Sequence, residues 1–379
     1  MNKATSLYLD LVRFLAALAV LLAHVSSGVL SGAVLWRLSY WGTTAVTIFF
    51  VLSGYVIAYV LEKRERSFLV YSASRFARLY SVVLPALLLT AICDYFGSLK
   101  DPQLYQGWSL PHWLGYLATA VFANGIWLLN DSPGFWPGTN GPVWSLSFEA
   151  VYYAAIAVMV FLQGWTRMGA AILLAAFGGP TILLLAPLWF AGYALFHWQA
   201  RIRLSPIAAW LAFLTGLVIC LSSFRLEQIQ TPWNLPILEP VQALHYHYHQ
   251  LGFLACRYAV ALGFVLNLLG FIKVSESLSP HLERCEKPLR ALGALTFPLY
   301  LFHFPLLYFL ASYSIWPRAS VMNSAWLIGG TFIVVGTVGV LCERSKSFYK
   351  LLYLLIYERL WRGKNDVAHP EGSSKEGAC

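Results

Sequence analysis

The sequence predicts an all-α fold, a polytopic membrane protein with ten transmembrane helices. Hydrophobic types make up 59% of the 379 residues and charged types only 11%, whereas a soluble domain carries about a quarter charged residues. The apolar residues are also gathered in runs of about 20, the length that a helix needs to cross the hydrocarbon layer. The formal net charge is +9, and the charged residues that produce it lie in short loops between these runs. This is typical of a membrane protein, so we expect no nucleic-acid partner.

Eight runs predict clear spans, and two further spans are predicted in a broken stretch. The clear spans cover about 7–30, 40–61, 79–97, 144–162, 206–224, 254–272, 294–315 and 323–342. The stretch 168–198 is apolar throughout, but Gly179, Pro180 and Pro187 interrupt it, which predicts two short bent spans, about 169–186 and 187–198. Residues 111–129 are apolar but interrupted, and they either span, re-enter or lie at the interface.

Basic residues predict the orientation. With ten spans and a cytoplasmic N-terminus, the inner segments hold 20 of the 26 Lys and Arg residues, and both chain ends are cytoplasmic. Counting 111–129 as an eleventh crossing would invert everything after it. The first run lacks a small-residue cleavage site, so we expect a retained helix. This gives one transmembrane domain, residues 1–343, and a cytoplasmic tail, residues 344–379, whose part after Trp361 has a disordered composition.

Ionisable residues inside predicted spans are expensive and therefore indicate function. Arg13 and His24 are eleven residues apart on the first span, which is about three helical turns, so they share one face. Glu149 begins a span that enters from outside and should lie at about the depth of His24. A carboxylate bonded to an imidazole fixes its tautomer and raises its basicity, so the pair predicts a general base for a hydroxyl. The six cysteines form no cluster with histidine, and no metal site is predicted.

The same residues also admit purely structural interpretations. An intramembrane histidine often only packs and bonds a main-chain carbonyl, and for His303 both interpretations stay open. Arg75 and Arg78 share a helical face at the predicted inner border. Their guanidinium groups match phosphate geometry, but a positive-inside anchor explains them as well.

Five motifs together resemble the membrane-bound acyltransferase 3 family, whose members O-acylate sugars of surface polysaccharides and other acceptors. The motifs are Arg13 with ten residues before His24, Phe49-Phe-Val-Leu-Ser-Gly-Tyr-Val-Ile, Arg75-Phe-Ala-Arg78, Trp144-Ser-Leu-Ser-Phe-Glu149, and Phe297-Pro-Leu-Tyr-Leu-Phe-His303-Phe-Pro305. They occur in order on the predicted spans, and the resemblance covers about residues 5–343.

The resemblance implies a ten-helix core in a bacterial inner membrane that takes acetyl-CoA from the cytoplasm and delivers the acyl group to a periplasmic acceptor. His24 then matches the catalytic histidine, Glu149 the acidic residue of its motif, and Arg13, Arg75 and Arg78 the positions tied to the donor. We assign Trp144 and His303 to substrate binding. The implied partners are acetyl-CoA, a carbohydrate such as O-antigen or exopolysaccharide, and membrane lipid; a homodimer is left open. Many relatives carry a fused SGNH esterase-like domain, which this chain does not show.

Two other functions compete with acyl transfer. A transporter or flippase for a sugar or lipid-linked sugar also buries charges, but it usually shows broken helices in matched halves, and we find no such pairing. A non-catalytic subunit of a polysaccharide synthase would tolerate substitution of His24 and Glu149.

Overall fold

The chain folds into a bundle of α-helices, described by a computed structural model over residues 1–31, 38–106, 108, 113–126, 135–228 and 254–368. No strand occurs in these residues, which confirms the predicted all-α class. The helices are α1 (Lys3–Val25), α2 (Trp41–Lys63), α3 (Phe68–Lys100), α4 (Trp113–Ala120), α5 (Trp144–Phe161), α6 (Gly164–Trp198), α7 (Pro206–Leu221), α8 (Ser223–Gln228), α9 (Leu254–Arg284), α10 (Glu286–Ser312), α11 (Val321–Val334) and α12 (Val340–Ala368).

Eight helical segments of the described residues are long and apolar enough to cross a membrane. They are α1, α2, α3, α5 with its preceding turn, α6, α9, α10, and the rod that α11 and α12 form through a π turn at Val335–Gly339. Helix α7 is apolar but has only 16 residues. The polytopic class is confirmed. A total of ten transmembrane helices would require α7 and each of the two halves of α6 to cross the membrane. That total stays a prediction.

Helix α6 breaks at Gly179, one of the interrupting residues in the sequence, and not at the predicted boundary between residues 186 and 187. Gly179 has φ 80° and ψ 179°, which interrupts the helix. This left-handed region favours glycine because it has no Cβ. Pro180, which follows, lacks the N–H that a continuous helix would use. Pro187, the predicted start of the second span, stays inside the helix. The division of this stretch therefore lies at Gly179 and not at Pro187.

The second half of α6 packs against α2 at unusually short range because glycines face each other's backbone. A Cβ added at Gly54 would meet the main-chain carbonyl of Trp189, and one added at Gly192 would meet that of Val51. Neither position has room for a side chain. The contact holds α2 against α6, and α2 itself contributes five residues to the site described below: Val46, Phe49, Phe50, Leu52 and Ser53.

In residues 113–126, the described part of the segment predicted to span, re-enter or lie at the interface, the one α-helix is the eight-residue α4. Eight residues extend about 12 Å, too little to cross a bilayer. The segment contacts α3 part-way along its length, since the Tyr80 hydroxyl donates to the Ala120 carbonyl at 2.8 Å and the Tyr80 and Phe122 rings lie 5.3 Å apart. Residues 111–112 and 127–129 of the predicted segment lie outside the described residues.

Hydrogen bonds of buried polar side chains fix the start of α5 inside the bundle. The buried Asp94 carboxylate accepts hydrogen bonds from the Thr139 N–H at 2.9 Å and hydroxyl at 2.6 Å. The Asn140 side-chain amide donates to the Thr90 hydroxyl and to the Leu301 carbonyl, both at 3.0 Å. The turn before α5 is thus tied to α3 and α10, so α5 begins beside α10 in the interior of the bundle.

Helix α12 continues the last span and lies along the start of α3. The Tyr353 hydroxyl donates to the Ser72 hydroxyl at 2.8 Å, and the Tyr353 ring lies 5.2 Å from that of Phe76. The predicted tail, 344–379, begins as part of this helix, which ends at Ala368, and its partial disorder stays a prediction. Residues 369–379 lie outside the described residues.

Candidate active site

A polar chamber of about 240 Å³ lies inside the bundle, between α1, α2, α3, α5, α10 and α12. Three basic and three acidic side chains line it: Arg13, Arg78, Lys346, Asp10, Glu149 and Glu343. Four aromatic side chains line the chamber as well: Phe49, Phe50, Phe297 and Tyr300. Six ionisable groups around one cavity of a membrane-spanning bundle indicate a functional site, because such groups are rare and expensive there.

Helix α1 contributes Asp10 and Arg13 to this chamber from adjacent turns. Asp10 Oδ1 lies 3.5 Å from Arg13 Nη1, and Asp10 Oδ2 accepts a hydrogen bond from Arg290 of α10 at 2.6 Å. Gly293 leaves the space that the Asp10 side chain fills. Asp10 therefore joins α1 to α10 and holds Arg13 at the chamber wall.

Glu149 lies in the chamber with Arg13, and this overturns the predicted pairing with His24. Its Oε1 accepts hydrogen bonds from the Ser53 hydroxyl at 3.1 Å and, at shorter range, from the Tyr153 hydroxyl. In the part of the chain that the structure describes, no hydrogen bond or ion pair joins Glu149 to His24. The prediction of a hydrogen-bonded Glu149–His24 pair is wrong.

The start of α5 explains this error. The prediction assumed that α5 begins at the outer membrane border, which would place Glu149 level with His24. Instead, the Ser145 hydroxyl lies 2.9 Å from that of Tyr300, and the Tyr300 hydroxyl donates to the Pro142 carbonyl at 3.1 Å. Helix α5 thus starts at the level of Tyr300, and Glu149 lies about 7 Å further along it, towards the end at which α1 begins.

A second recess, of about 310 Å³, opens beside the chamber at the end of the bundle where α3 begins. Among the described residues, four basic side chains and no carboxylate line it: Arg75, Arg78, Lys346 and Lys350. Arg78 and Lys346 line both cavities. The recess and the chamber therefore adjoin, with these two cations at their junction.

The two arginines predicted to act together have different surroundings. Arg75 Nη2 donates to both oxygens of Glu65, at 2.7 and 2.9 Å. Its guanidinium also lies over the Tyr71 and Tyr153 rings at 5.5 and 5.4 Å, within cation–π range. Arg78 forms no ion pair with a carboxylate of the described residues, and its guanidinium lies 5.7 Å from the Phe297 ring. Arg78 is therefore better placed than Arg75 to bind an anion.

His24, near the end of α1, pairs with a second histidine. Its ring centroid lies 5.2 Å from that of His303 and 4.7 Å from that of Phe304, which meets it edge-on. The His303 side chain is buried, with 1% of its surface exposed. His303 Nδ1 lies 3.0 Å from the Leu299 carbonyl, and Nε2 has no hydrogen-bond partner among the described residues.

One layer of aromatic rings separates the histidines from the chamber. Phe49 and Tyr300 line the chamber and lie edge to face at 5.8 Å. The Tyr300 ring is 6.1 Å from that of His303. Neither histidine lines the chamber or the recess. A ligand that extends from the chamber to the histidines must displace this ring layer.

Trp144, predicted to bind substrate, packs in a cluster of aromatic rings instead of lining either cavity. Its ring lies 5.0 Å from that of Phe148 and 6.4 Å from that of Phe50, both edge to face. No described cluster of three His, Cys, Asp or Glu residues has the arrangement of a metal site.

The sequence analysis missed Lys346 and Lys350, which it counted only as basic residues of the tail. Both line the recess, and Lys346 forms a short ion pair with Glu343 at the chamber. A signal was present: Glu343, Lys346 and Lys350 are spaced by three and four residues, which places them on one helical face.

The fold and the cavities define a multi-pass membrane protein that holds a charged site within its helices. The chain belongs to the acyltransferase 3 family, because the family's model, described as an acyltransferase domain, matches residues 6–342. The chain is also 31% identical over 147 residues to acyltransferase MdmB from Streptomyces mycarofaciens. That match covers 38% of this chain and 36% of the relative, little more than a third of either length. No solved structure matches the chain. Family membership confirms the resemblance found in the sequence and supports an enzyme that transfers acyl groups.

Proposed function

We propose that this protein transfers an acyl group, in the simplest case acetyl, from cytoplasmic acyl-CoA to a sugar hydroxyl on the periplasmic side of a bacterial inner membrane. The observation that carries the proposal is the pair of adjoining cavities. A basic recess leads into a charged chamber, and the chamber ends one ring layer below two histidines. The bias of Lys and Arg in the sequence supports a recess on the cytoplasmic side.

The recess has the charge that coenzyme A requires. Coenzyme A carries phosphate groups at one end and a thioester at the end of a long arm. Arg78 and Lys346 donate to phosphate oxygens at the junction of the cavities, and Lys350 adds positive charge at the recess. Arg75 supports the same surface from its ion pair with Glu65. The arm then extends into the chamber past Arg13.

In the proposed enzyme, the carboxylates of the chamber hold its basic side chains in position. Asp10 holds Arg13, and Glu149 shares the chamber with Arg13 and Arg78. Glu149 then positions the basic side chains that bind the acyl donor. The sequence had predicted a different role for it, as the partner of the catalytic base. Its hydrogen bonds from Ser53 and Tyr153 fix its place on the wall.

The acyl group reaches the acceptor at the histidines. His24 acts as the base that removes the proton of the acceptor hydroxyl, or as a relay that carries the acyl group. The acceptor is a surface polysaccharide or lipid-linked glycan such as O-antigen or exopolysaccharide, which approaches from the periplasmic side. His303 faces this acceptor, and Trp144 supports the wall of rings beneath it.

A matched pair of histidine variants tests the proposal. His24→Ala should abolish acetylation of the surface glycan in a deletion strain that expresses each variant at equal level, measured by mass spectrometry of the extracted glycan. His197→Ala is the control, because His197 is exposed at the last turn of α6 and lies outside both cavities. Normal acetylation by His24→Ala would contradict the catalytic role.

The transporter alternative predicts a different result in vitro. The break at Gly179 in α6 is the kind of interruption that transporters use. Purified protein in nanodiscs has no second compartment, so a transporter would leave acetyl-CoA intact when unacetylated glycan is added. An acyltransferase would consume acetyl-CoA and acetylate the glycan under the same conditions.

A further inference from the structure

The buried histidine beside His24 has a fixed tautomer. His303 Nδ1 lies 3.0 Å from the Leu299 carbonyl, an atom that only accepts hydrogen bonds, so Nδ1 carries the proton. A neutral imidazole with a protonated Nδ1 has its lone pair on Nε2. The ring is neutral because no carboxylate of the described residues contacts it, and an unpaired buried charge is strongly disfavoured. His303 therefore presents an acceptor at Nε2.

This acceptor has no donor within the described residues. His303 Nε2 is fully buried and makes no hydrogen bond. Buried polar atoms of proteins are nearly always paired, so an exception of this kind calls for an explanation. Three rings of the described residues lie near His303: Tyr300 at 6.1 Å, Phe304 at 6.1 Å and His24 at 5.2 Å.

Of these neighbours, His24 is the one that can supply the missing donor. Phe304 has no polar atom, and the Tyr300 hydroxyl is directed to α5, where it bonds the Pro142 carbonyl and Ser145. His24 is only partly buried, and its ring nitrogens form no hydrogen bond with the described residues. The two imidazoles are close enough for a small reorientation to bring their nitrogens within hydrogen-bond distance.

We propose that His303 is the positioning residue of His24: its Nε2 accepts the N–H of His24 and so fixes His24 in one tautomer. The other nitrogen of His24 then holds the lone pair that takes the acceptor's proton. This inference rests on the proposed function and assigns to His303 the role that the sequence gave to Glu149. A neutral acceptor suits this depth better than a carboxylate, because it introduces no charge into the apolar surroundings of Phe304.

Atoms and charges balance in a transfer step that uses only the imidazoles of His24 and His303. The acceptor oxygen bonds to the thioester carbonyl carbon while its proton moves to the free nitrogen of His24. The carbon–sulfur bond breaks, and the coenzyme A thiolate leaves and takes the proton back from His24. Acyl-CoA and an alcohol thus become an ester and coenzyme A, with both histidines returned to their starting state. His303 keeps its own proton throughout.

Three substitutions of His303 separate positioning from packing. His303→Leu removes the acceptor and should lower kcat for glycan acetylation on the order of 100-fold, with the KM for acetyl-CoA within twofold of wild type. His303→Gln places an amide oxygen near the position of Nε2 and should recover activity to within about tenfold of wild type. His303→Asn, whose amide reaches only the position of Nδ1, should stay as low as the leucine variant. The substrate is unacetylated glycan extracted from the deletion strain.

The tautomer of His24 can be measured without any transfer. Nitrogen-15 NMR of histidine-labelled protein in nanodiscs should show one tautomer for His24, assigned by comparison with His24→Gln, and a mixture of tautomers in His303→Leu. A change of tautomer in a protein that transfers no acyl group would support the inference and refute the proposed function. Equal activity of the glutamine and leucine variants, or an unchanged His24 spectrum in His303→Leu, would overturn the inference.

Discussion

Arg75 and Arg78 lie one turn apart on α3, yet the structure predicts opposite consequences for their removal. Arg75 is held by a bidentate ion pair with Glu65, and their side chains are 13% and 10% exposed. Arg78 has no such partner among the described residues and lines both the recess and the chamber. We expect Arg78→Ala to weaken donor binding and Arg75→Ala mainly to destabilise the fold.

The magnitudes follow from the kind of contact that each substitution removes. A hydrogen bond to a charged group contributes about 1.5–3 kcal/mol, and about 1.4 kcal/mol corresponds to a factor of ten in Kd. Arg78→Ala should therefore raise the Kd for acetyl-CoA by about 10- to 100-fold. Arg75→Ala leaves the carboxylate of Glu65 without its partner, and breaking a buried pair costs about 3–5 kcal/mol at full burial.

Equilibrium binding of labelled acetyl-CoA to the protein in nanodiscs, with thermal unfolding measured in parallel, separates the two effects. Arg64→Ala is the control, because Arg64 is exposed at the end of α2 and lines neither cavity. The reasoning fails if Arg78→Ala binds acetyl-CoA within twofold of wild type. It fails equally if Arg75→Ala keeps its melting temperature while it loses affinity.

Three further predictions follow from the same geometry. Lys346→Ala should raise the Kd for acetyl-CoA about tenfold, whereas the exposed Lys287→Ala should leave it unchanged in the same assay. Gly54→Ala should lower the melting temperature by several degrees, because its Cβ would meet the backbone of α6; Gly169→Ala, which has open space around it, should not. Tyr300→Ala removes part of the ring layer and should raise acetyl-CoA hydrolysis several-fold when no glycan is present. An unchanged hydrolysis rate would contradict the idea that this layer separates the chamber from the histidines.

The sequence was sufficient for the fold class because span length and apolar composition are local properties. The predicted spans overlap the long helices, although α3 and α12 extend well beyond them, and the sequence showed that 168–198 is interrupted. It could not choose between Gly179 and Pro187 as the break, since both residues disrupt a helix in isolation. Only the packed structure shows that Gly179 takes a positive φ while Pro187 stays within α6.

The candidate site was predictable where neighbours lie on one helix and unpredictable where they lie on different helices. The neighbouring positions of Asp10 and Arg13 follow from their spacing of three residues on α1. The partner of His24 depends on how far α5 reaches into the bundle, and that depth is set by the contacts of Asn140 with α3 and α10. No local pattern of residues encodes these long-range contacts.

The ring layer of Phe49 and Tyr300 has a consequence for the energy supply of the cell. A continuous water-filled path through the proposed enzyme would let protons flow across the inner membrane and discharge its electrochemical gradient. Phe49 and Tyr300 line the chamber and lie edge to face, and in the proposed enzyme they would leave the charged groups of the chamber to exchange protons only with the cytoplasmic side. Acyl groups would then cross by brief displacement of two side chains, while the membrane stays insulating between turnovers.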